Sequence, residues 1–394
     1  VERWSAALSR RGFDSRTEQY FQGLIFVTEV LVKMDCVGIC GSDVKLYTTG
    51  TCGLDVVTET IVIGHEGAGV IVEIGSRVTS LVVGDRVSIE PTQPCRSCEY
   101  CKVGRYNLCV SPRYCSSMGT HVADFCHKMP DNLTMEEGAA VQPLAIALHA
   151  CRRAGIRLGQ RVLILGAGPI GILCAMTARA MGASAILMTD VVQSRLDTAR
   201  ELGADYTMLV KRDSSDQEMV DSIVVQLGCQ PDVTIDACAY ASAQRVAMLV
   251  TKTAGVVLVV GIGDSKVEVP LTQALLREVD VRGSYRIAPL FTVLFYSLAA
   301  VSSGAINLKK FITHHFPLQR TKEALDLAKS GDAMKIIIHV QKLLLFISTH
   351  SIVIYLILLN TLCAQKYRGG LKSDVEKNSG RCIMLSQDPG VLDV

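Results

Sequence analysis

The sequence predicts an α/β protein with two unlike parts, a β-rich first part and a doubly wound parallel-sheet second part. Three observations carry this. Short apolar runs bounded by glycines fill residues 24–90, and apolar strands alternate with helical stretches from Arg161 onward. The glycine-rich turn Gly166-Ala167-Gly168-Pro169-Ile170-Gly171 links the first of those later strands to the first of those helices. At 394 residues the chain can hold two or three domains and a full core. Forty Lys+Arg against 38 Asp+Glu leave a net charge of +2, so no basic excess exists to neutralise phosphates. Aromatics are 5% with Trp4 alone, too few for a base-stacking platform. Nucleic acid is therefore excluded as the main partner.

In the first part, strands are expected at 27–32, 70–74 and 86–89, punctuated by Gly38, Gly41, Gly64, Gly75 and Gly84. A Cys-rich loop covers 91–126. Thr134-Met135-Glu136-Glu137 has the pattern of a capped helix start ahead of the apolar stretch 139–150. In the second part, strands are expected at 162–165, 185–190, 206–210, 232–237 and 255–261, with a helix over 170–181. Continuous apolar strands of this kind belong to a sheet covered on both faces. A helix at 320–329 and a closing strand at 335–340 complete the pattern, and His314-His315 reads as a solvated loop pair. The domains so drawn are 1–145 with 286–340, then 146–285, then a tail over 341–394.

Within that tail, 343–362 holds no formal charge and is long enough to span a bilayer. Ser348, Thr349, His350, Ser351, Asn360 and Thr361 are costly there, so the reading is an appended tail, with membrane contact only if 343–362 is a true anchor. The first thirty residues carry Arg3, Arg10, Arg11 and Arg16 and no apolar signal core. Fifteen cysteines, an odd count in a long chain, fit reduced thiols rather than a disulfide framework. A cytoplasmic location is the expectation.

The turn at 166–171 has the chemistry of a dinucleotide site. Gly166 permits the tight turn, Gly168 lets backbone approach a pyrophosphate, and Gly171 lets helix and strand pack closely. The helix start offers free N–H groups and a positive dipole end to the anion. Asp190 closes the next strand, where a carboxylate accepts bonds from a ribose 2′-hydroxyl and repels a 2′-phosphate, which favours NAD over NADP.

Two metal sites are suggested. Cys95, Cys98, Cys101 and Cys109 lie on one short segment that can wrap a tetrahedral zinc ion, the arrangement of a closed structural site. Cys40, His65 and Glu66, each at a glycine turn, could give three ligands and one open position, as in a catalytic zinc site. A buried Cys40 beside a surface His65 is the alternative.

The stretch Gly64-His65-Glu66-Gly67-Ala68-Gly69 with Gly75 and Val78 resembles the zinc signature of the zinc-containing medium-chain alcohol dehydrogenases. Within them the chain is most similar to the sorbitol dehydrogenases, through 37–44, 104–109, 149–153 and 277–281. The likeness runs over about 28–340. It implies a GroES-like β-rich catalytic domain, a Rossmann domain, NAD, catalytic and structural zinc, a polyol or ketose substrate, and a homotetramer. Carried over, Cys40, His65 and Glu66 hold the catalytic zinc, while Cys95, Cys98, Cys101 and Cys109 hold the structural one. Ser42 joins a proton relay. Ile170, Asp190, Arg195, Val260, Gly261, Ile262, Ser284, Tyr285 and Arg286 contact NAD, and Arg286 also faces substrate hydroxyls.

The chain departs from that pattern at several points. Gln142 stands where the family carries Glu, Lys45-Leu46 replace His-Tyr, and Arg286-Ile287 replace Arg-Tyr. The loop between Cys115 and His121 is shortened. An amide is a poorer ligand than a carboxylate and no base. Lys45 is expected either beside the metal, favouring an anionic substrate, or reaching to solvent. The first reading is a zinc- and NAD-dependent polyol dehydrogenase. The second is a non-catalytic relative that binds both groups behind a degenerate substrate pocket.

Overall fold

In the computed structural model, the described residues are 30–52, 55–57, 61–115, 125–211, 213–264, 266–287 and 292–347. The first part is built on β1 (Val30–Gly38), where outward Lys33 and Asp35 alternate with buried Val32, Met34 and Cys36. There follow α1 (Gly41–Thr49), β2 (Thr51–Cys52), β3 (Asp55–Val56), β4 (Glu66–Ile74), β5 (Arg86–Glu90) and β6 (Thr92–Gln93). Next come α2 (Glu99–Lys102), β7 (Arg113–Tyr114), β8 (Phe125–Lys128) and α3 (Met135–Ala154).

The second part alternates β9 (Arg161–Leu165), α4 (Pro169–Ala180), β10 (Ala185–Asp190), α5 (Gln193–Glu201), β11 (Tyr206–Leu209) and α6 (Asp216–Leu227). It continues with β12 (Val233–Asp236), α7 (Ala241–Val250), β13 (Val256–Val259), α8 (Leu271–Leu275) and β14 (Asp280–Gly283). The chain then returns to the first part through α9 (Thr292–Ser302), β15 (His314–Pro317), α10 (Thr321–Ser330) and β16 (Ile336–Ile347).

Two six-stranded sheets result, ordered β15-β16-β1-β4-β5-β8 and β11-β10-β9-β12-β13-β14. Every pairing in the second sheet is parallel, as its uninterrupted apolar strands require. The order reverses beside β9, so the crevice at the strand ends next to the Gly166 turn is the natural ligand position. In the first sheet β1 lies between β4 and β16, antiparallel to both.

Helix α3 joins the two parts. Thr134 caps it: its Oγ1 accepts the Glu137 N–H at 3.1 Å, while Glu137 Oε2 accepts the Thr134 N–H at 2.9 Å. Its alanines 139, 140, 147 and 150 are fully buried and let neighbouring backbones come close. At one end Ser88 Oγ of β5 donates to the Gly138 carbonyl at 2.7 Å. At the other, Cys151 Sγ donates to the Cys174 carbonyl of α4 at 3.5 Å.

Several expectations need adjusting. The His314-His315 pair is not a loop but opens β15, held in parallel pairing to β16. The Cys-rich segment contains short elements as well as loop. The closing strand outruns the expected 335–340: residues 343–347 pair with Met34 back to Val30, extending the sheet. The rest of 343–362 lies outside the described residues, as do 27–29 of the first expected strand and the shortened loop between Cys115 and His121. Among the described residues no helix is long and apolar enough to cross a membrane.

Replacing Thr134 by Ala removes the cap of the joining helix. Unfolding in urea should show a loss of about 1 kcal/mol, with no change in slope.

Candidate active site and metal centres

The register of the first sheet assembles the site. Glu66 opens β4 opposite Gly38, the last residue of β1, and Gly38 faces Ile337 of β16 on its other side. A side chain at Gly38 would collide with Glu66 Oε2, so only glycine leaves room for that carboxylate. Lys335, one residue before β16, donates from Nζ to Glu66 Oε2 at 2.6 Å and to the Ile39 carbonyl at 3.0 Å. Both members of this ion pair are buried.

Cys40 precedes α1, and Asp43 in the first turn organises what surrounds it. Asp43 Oδ2 accepts the Cys40 N–H and Oδ1 accepts the Gly64 N–H, each at 3.0 Å. Oδ1 also lies 3.3 Å from His65 Nδ1, which fixes the ring and leaves its other nitrogen for a metal. Ligand atoms of Cys40, His65 and Glu66 all fall within 4.8 Å of one another. The remaining Glu66 oxygen, Oε1, is buried without a hydrogen-bond partner. A thiol, an oriented imidazole and an orphaned carboxylate oxygen are a donor set that fits zinc with an open fourth position.

The local field favours positive charge here. Burial alone pulls the His65 imidazole down, but Tyr114, Asp43 and Cys40 together hold it well above the usual histidine value. Burial pushes Asp43 up, and the His65 charge with three hydrogen bonds overrides it, leaving the carboxyl below its ordinary range.

Gln142 is buried on α3 with Oε1 unpartnered, and its Nε2 lies 3.5 Å from the Tyr114 hydroxyl. The Tyr114 ring stands 5.5 Å from that of His65, and the Arg286 guanidinium lies 4.8 Å from the same ring centre. Arg286 holds a positive φ of 57°, a left-handed backbone that non-glycine residues seldom adopt. Ser42 is half-buried in the first turn of α1. Thus Cys40, His65, Glu66, Gln142 and Arg286 gather around Tyr114 and Asp43.

The four expected cysteines also converge. Cys98 and Cys101 Sγ are 3.4 Å apart, Cys95 and Cys101 Sγ 3.9 Å, and all four sulfurs lie within 4.8 Å of one another. Backbone N–H groups already point at sulfur, Cys95 to Cys109 at 3.2 Å and Cys98 to Cys95 at 3.4 Å. Hydrogen bonds from the Ser97 side chain and backbone, with the Cys98 N–H, lower the Cys95 thiol to about 6, toward the thiolate a metal needs. A cavity of about 410 Å³ separates this lobe from the Tyr285-Arg286 turn, and Asn107 Nδ2 donates across to the Tyr285 carbonyl at 3.1 Å.

At the glycine-rich turn, Gly166 has φ of 101°, and a side chain on Gly171 would strike the Gly166 carbonyl. A Cβ on Gly168 would meet nothing within 4 Å, so the space before the α4 N-terminus is open to a pyrophosphate. Ile170 is half-buried in the first turn of α4. Asp190 Oδ2 accepts the Ala167 N–H at 2.8 Å and Oδ1 the Val192 N–H at 2.9 Å, which aims the carboxylate while leaving lone pairs for ribose. Val260 and Gly261 N–H groups both reach the Asp236 carbonyl, exposing Ile262 beyond β13. The Ser284 N–H donates to the Val259 carbonyl, and its buried hydroxyl has no partner. The Arg195 guanidinium donates to the Gly331 carbonyl at 3.2 and 3.3 Å, tying α5 to the end of α10.

Three residues escaped the sequence reading as site members: Asp43, Tyr114 and Lys335. Asp43 had a signal, since an acid three residues past Cys40 is a helix-start position. Lys335 had none, because only the sheet brings it to Glu66 across 269 residues. Lys45 is exposed, as the solvent-reaching expectation has it, and its Nζ also donates to the Ile262 carbonyl at 3.0 Å, bridging α1 to the turn after β13.

Comparison with known proteins gives two matching family models, the alcohol dehydrogenase GroES-like domain over 27–139 and the zinc-binding dehydrogenase domain over 169–298. A sorbitol dehydrogenase of Bombyx mori is 68% identical over 345 residues, covering 85% of this chain and 98% of the relative. The crystal structure of an L-idonate 5-dehydrogenase from Escherichia coli superposes with a TM-score of 0.71 at 28% identity, covering 79% of this chain and 91% of that one. An alcohol dehydrogenase from Escherichia coli complexed with NADH gives 0.70 at 26% identity, covering 80% and 92%.

Replacing Lys335 by Met strands a buried carboxylate. In zinc-stripped protein this should cost about 3–5 kcal/mol by denaturant unfolding, and an unchanged midpoint would deny the pair its role.

Proposed function

The chain belongs to the sorbitol dehydrogenases of the zinc-containing alcohol dehydrogenase family, and from that premise we propose that it oxidises a polyol such as sorbitol to the ketose with NAD, and the reverse. The observation that carries the reading is the convergence of Cys40, His65 and the orphaned Glu66 oxygen on a helix that Lys45 ties to the nucleotide-side turn at Ile262. We assign Cys40, His65 and Glu66 to a catalytic zinc and Cys95, Cys98, Cys101 and Cys109 to a structural one. When bound, zinc supplies a Lewis acid to a secondary hydroxyl and NAD an acceptor for hydride.

The chain's own residues do the positioning. Asp43 orients His65, and Lys335 balances Glu66 so that a buried carboxylate is tolerated. Gly168 and the α4 N-terminus receive the pyrophosphate, and Asp190 selects the unphosphorylated ribose. Val260, Gly261, Ile262, Ser284 and Tyr285 line the nicotinamide side, while Arg286, held over Tyr114, faces substrate hydroxyls. Ser42 opens the proton path, and Gln142 with Tyr114 walls the substrate pocket. The proposed assembly is a cytoplasmic homotetramer, resting on the family resemblance.

A scaffold that binds zinc and NAD without turnover would keep these same donors; what speaks against it is the 68% identity to a sorbitol dehydrogenase. The decisive assay is NADH formation with sorbitol, xylitol and a simple secondary alcohol, before and after zinc chelation. Chelator-sensitive NADH from a polyol is expected. No NADH from any of the three, with zinc and NAD bound, would overturn the reading.

Gln142→Glu should raise polyol kcat/KM about tenfold and add one ionisation to its pH profile, as a positioned base does. An unchanged rate and profile would remove position 142 from the proton path.

A further inference from the structure

A third cluster of metal-ligating side chains lies apart from both sites, where the first turn of α3 meets the β15–β16 edge of the first sheet. It joins Glu136 of α3, His315 of β15 and His339 of β16. The pairing of the two strands explains the meeting. His315 is opposite Ile337 and His339 is opposite Pro317, so the histidines stand two positions apart on adjacent strands and share a face. On α3, Glu137 is committed to the Thr134 cap, which leaves Glu136 as the acid turned toward the strands.

The distances are those of a coordination face. His315 Nδ1 and His339 Nε2 each lie 3.1 Å from the same atom, Glu136 Oε1, and 3.4 Å from one another. Two ligands held about 2.0–2.1 Å from a tetrahedral zinc ion are separated by about 3.3–3.4 Å. The three edges therefore approximate one triangular face of such a site before any rearrangement. The imidazole rings are near-parallel, 5.6 Å apart with 23° between planes, so both nitrogens can address one ion. The three side chains are 47%, 38% and 30% exposed for His315, His339 and Glu136, which leaves water access to a fourth position.

We propose that Glu136, His315 and His339 bind a borderline divalent cation, zinc foremost, with water as the fourth ligand, clamping the first turn of α3 to the sheet edge. Two imidazoles and one carboxylate suit zinc, copper or nickel, whereas magnesium and calcium require oxygen-rich shells. Because α3 carries Gln142 less than two turns further on, the ion fixes the end of the helix that lines the active site. The competing account is two histidines sharing one carboxylate with no metal.

Zinc-loaded wild-type chain, His339→Lys and Glu136→Gln are dialysed to equilibrium against micromolar Zn²⁺ and their metal counted. Wild type should hold one zinc per chain more than either variant, with the zinc at the two cysteine-containing sites retained in both. Equal zinc content in all three overturns the proposal in favour of the metal-free ion pairs. A second measurement needs no variant to fold: Cu²⁺ added to zinc-loaded wild type should give an electron paramagnetic resonance signal split by two imidazole nitrogens. Absence of that signal also overturns the proposal.

Discussion

The buried pair of Glu66 and Lys335 is the interaction on which the active-site half of the molecule turns. Removing two charges from water costs several kcal/mol each, and the pair is tolerated only because the geometry is tight and each charge has further partners. Lys335 is held by the Ile39 carbonyl as well, and Glu66 keeps one oxygen free for a cation. A cation bound at that oxygen would complete an electrostatic arrangement that the fold has already begun. The requirement propagates into the backbone: Gly38 must lack a side chain, β1 must lie between β4 and β16, and the chain must return from the nucleotide sheet to supply Lys335.

That return shapes the relation between the two parts. Across them one buried core runs along α3, and three polar bonds at turns add to it: Lys45 to Ile262, Asn107 to Tyr285, and Arg195 to Gly331. Each uses a long polar side chain on a backbone carbonyl, so none depends on the partner's side-chain identity. The first two bonds set α1, which follows Cys40, and the cysteine lobe against the C-terminal edge of the parallel sheet, where a doubly wound fold receives its nucleotide.

Local chemistry was legible in the sequence, and long-range geometry was not. The glycine-rich turn, the cysteine spacing, Asp190 and the Thr134 helix start each rest on a few neighbouring residues, whose conformations follow from their own sterics and hydrogen bonding. Cys40, His65 and Glu66 were found as glycine-turn ligands without any view of how they meet. Lys335, Tyr114 and the His315–His339 pairing were hidden because sheet register, not sequence distance, makes them neighbours. Arg195 adds a bond that no local pattern showed, its guanidinium donating to the Gly331 carbonyl.

One helix carries the consequences of both kinds of information. Along α3, Glu136 faces the sheet edge, Gln142 the active site and Cys151 the nucleotide domain through Cys174. Pro143, directly after Gln142, has no N–H, so the carbonyl one turn earlier at Ala139 lacks its usual helical partner. A helix interrupted in this way next to the active site depends on tertiary contacts at both ends for its position. Its buried alanines provide close packing, and the Thr134 cap and the Ser88–Gly138 bond anchor its first turns. The placement of Gln142 is thus decided at the ends of the helix, several residues from the chemistry it adjoins.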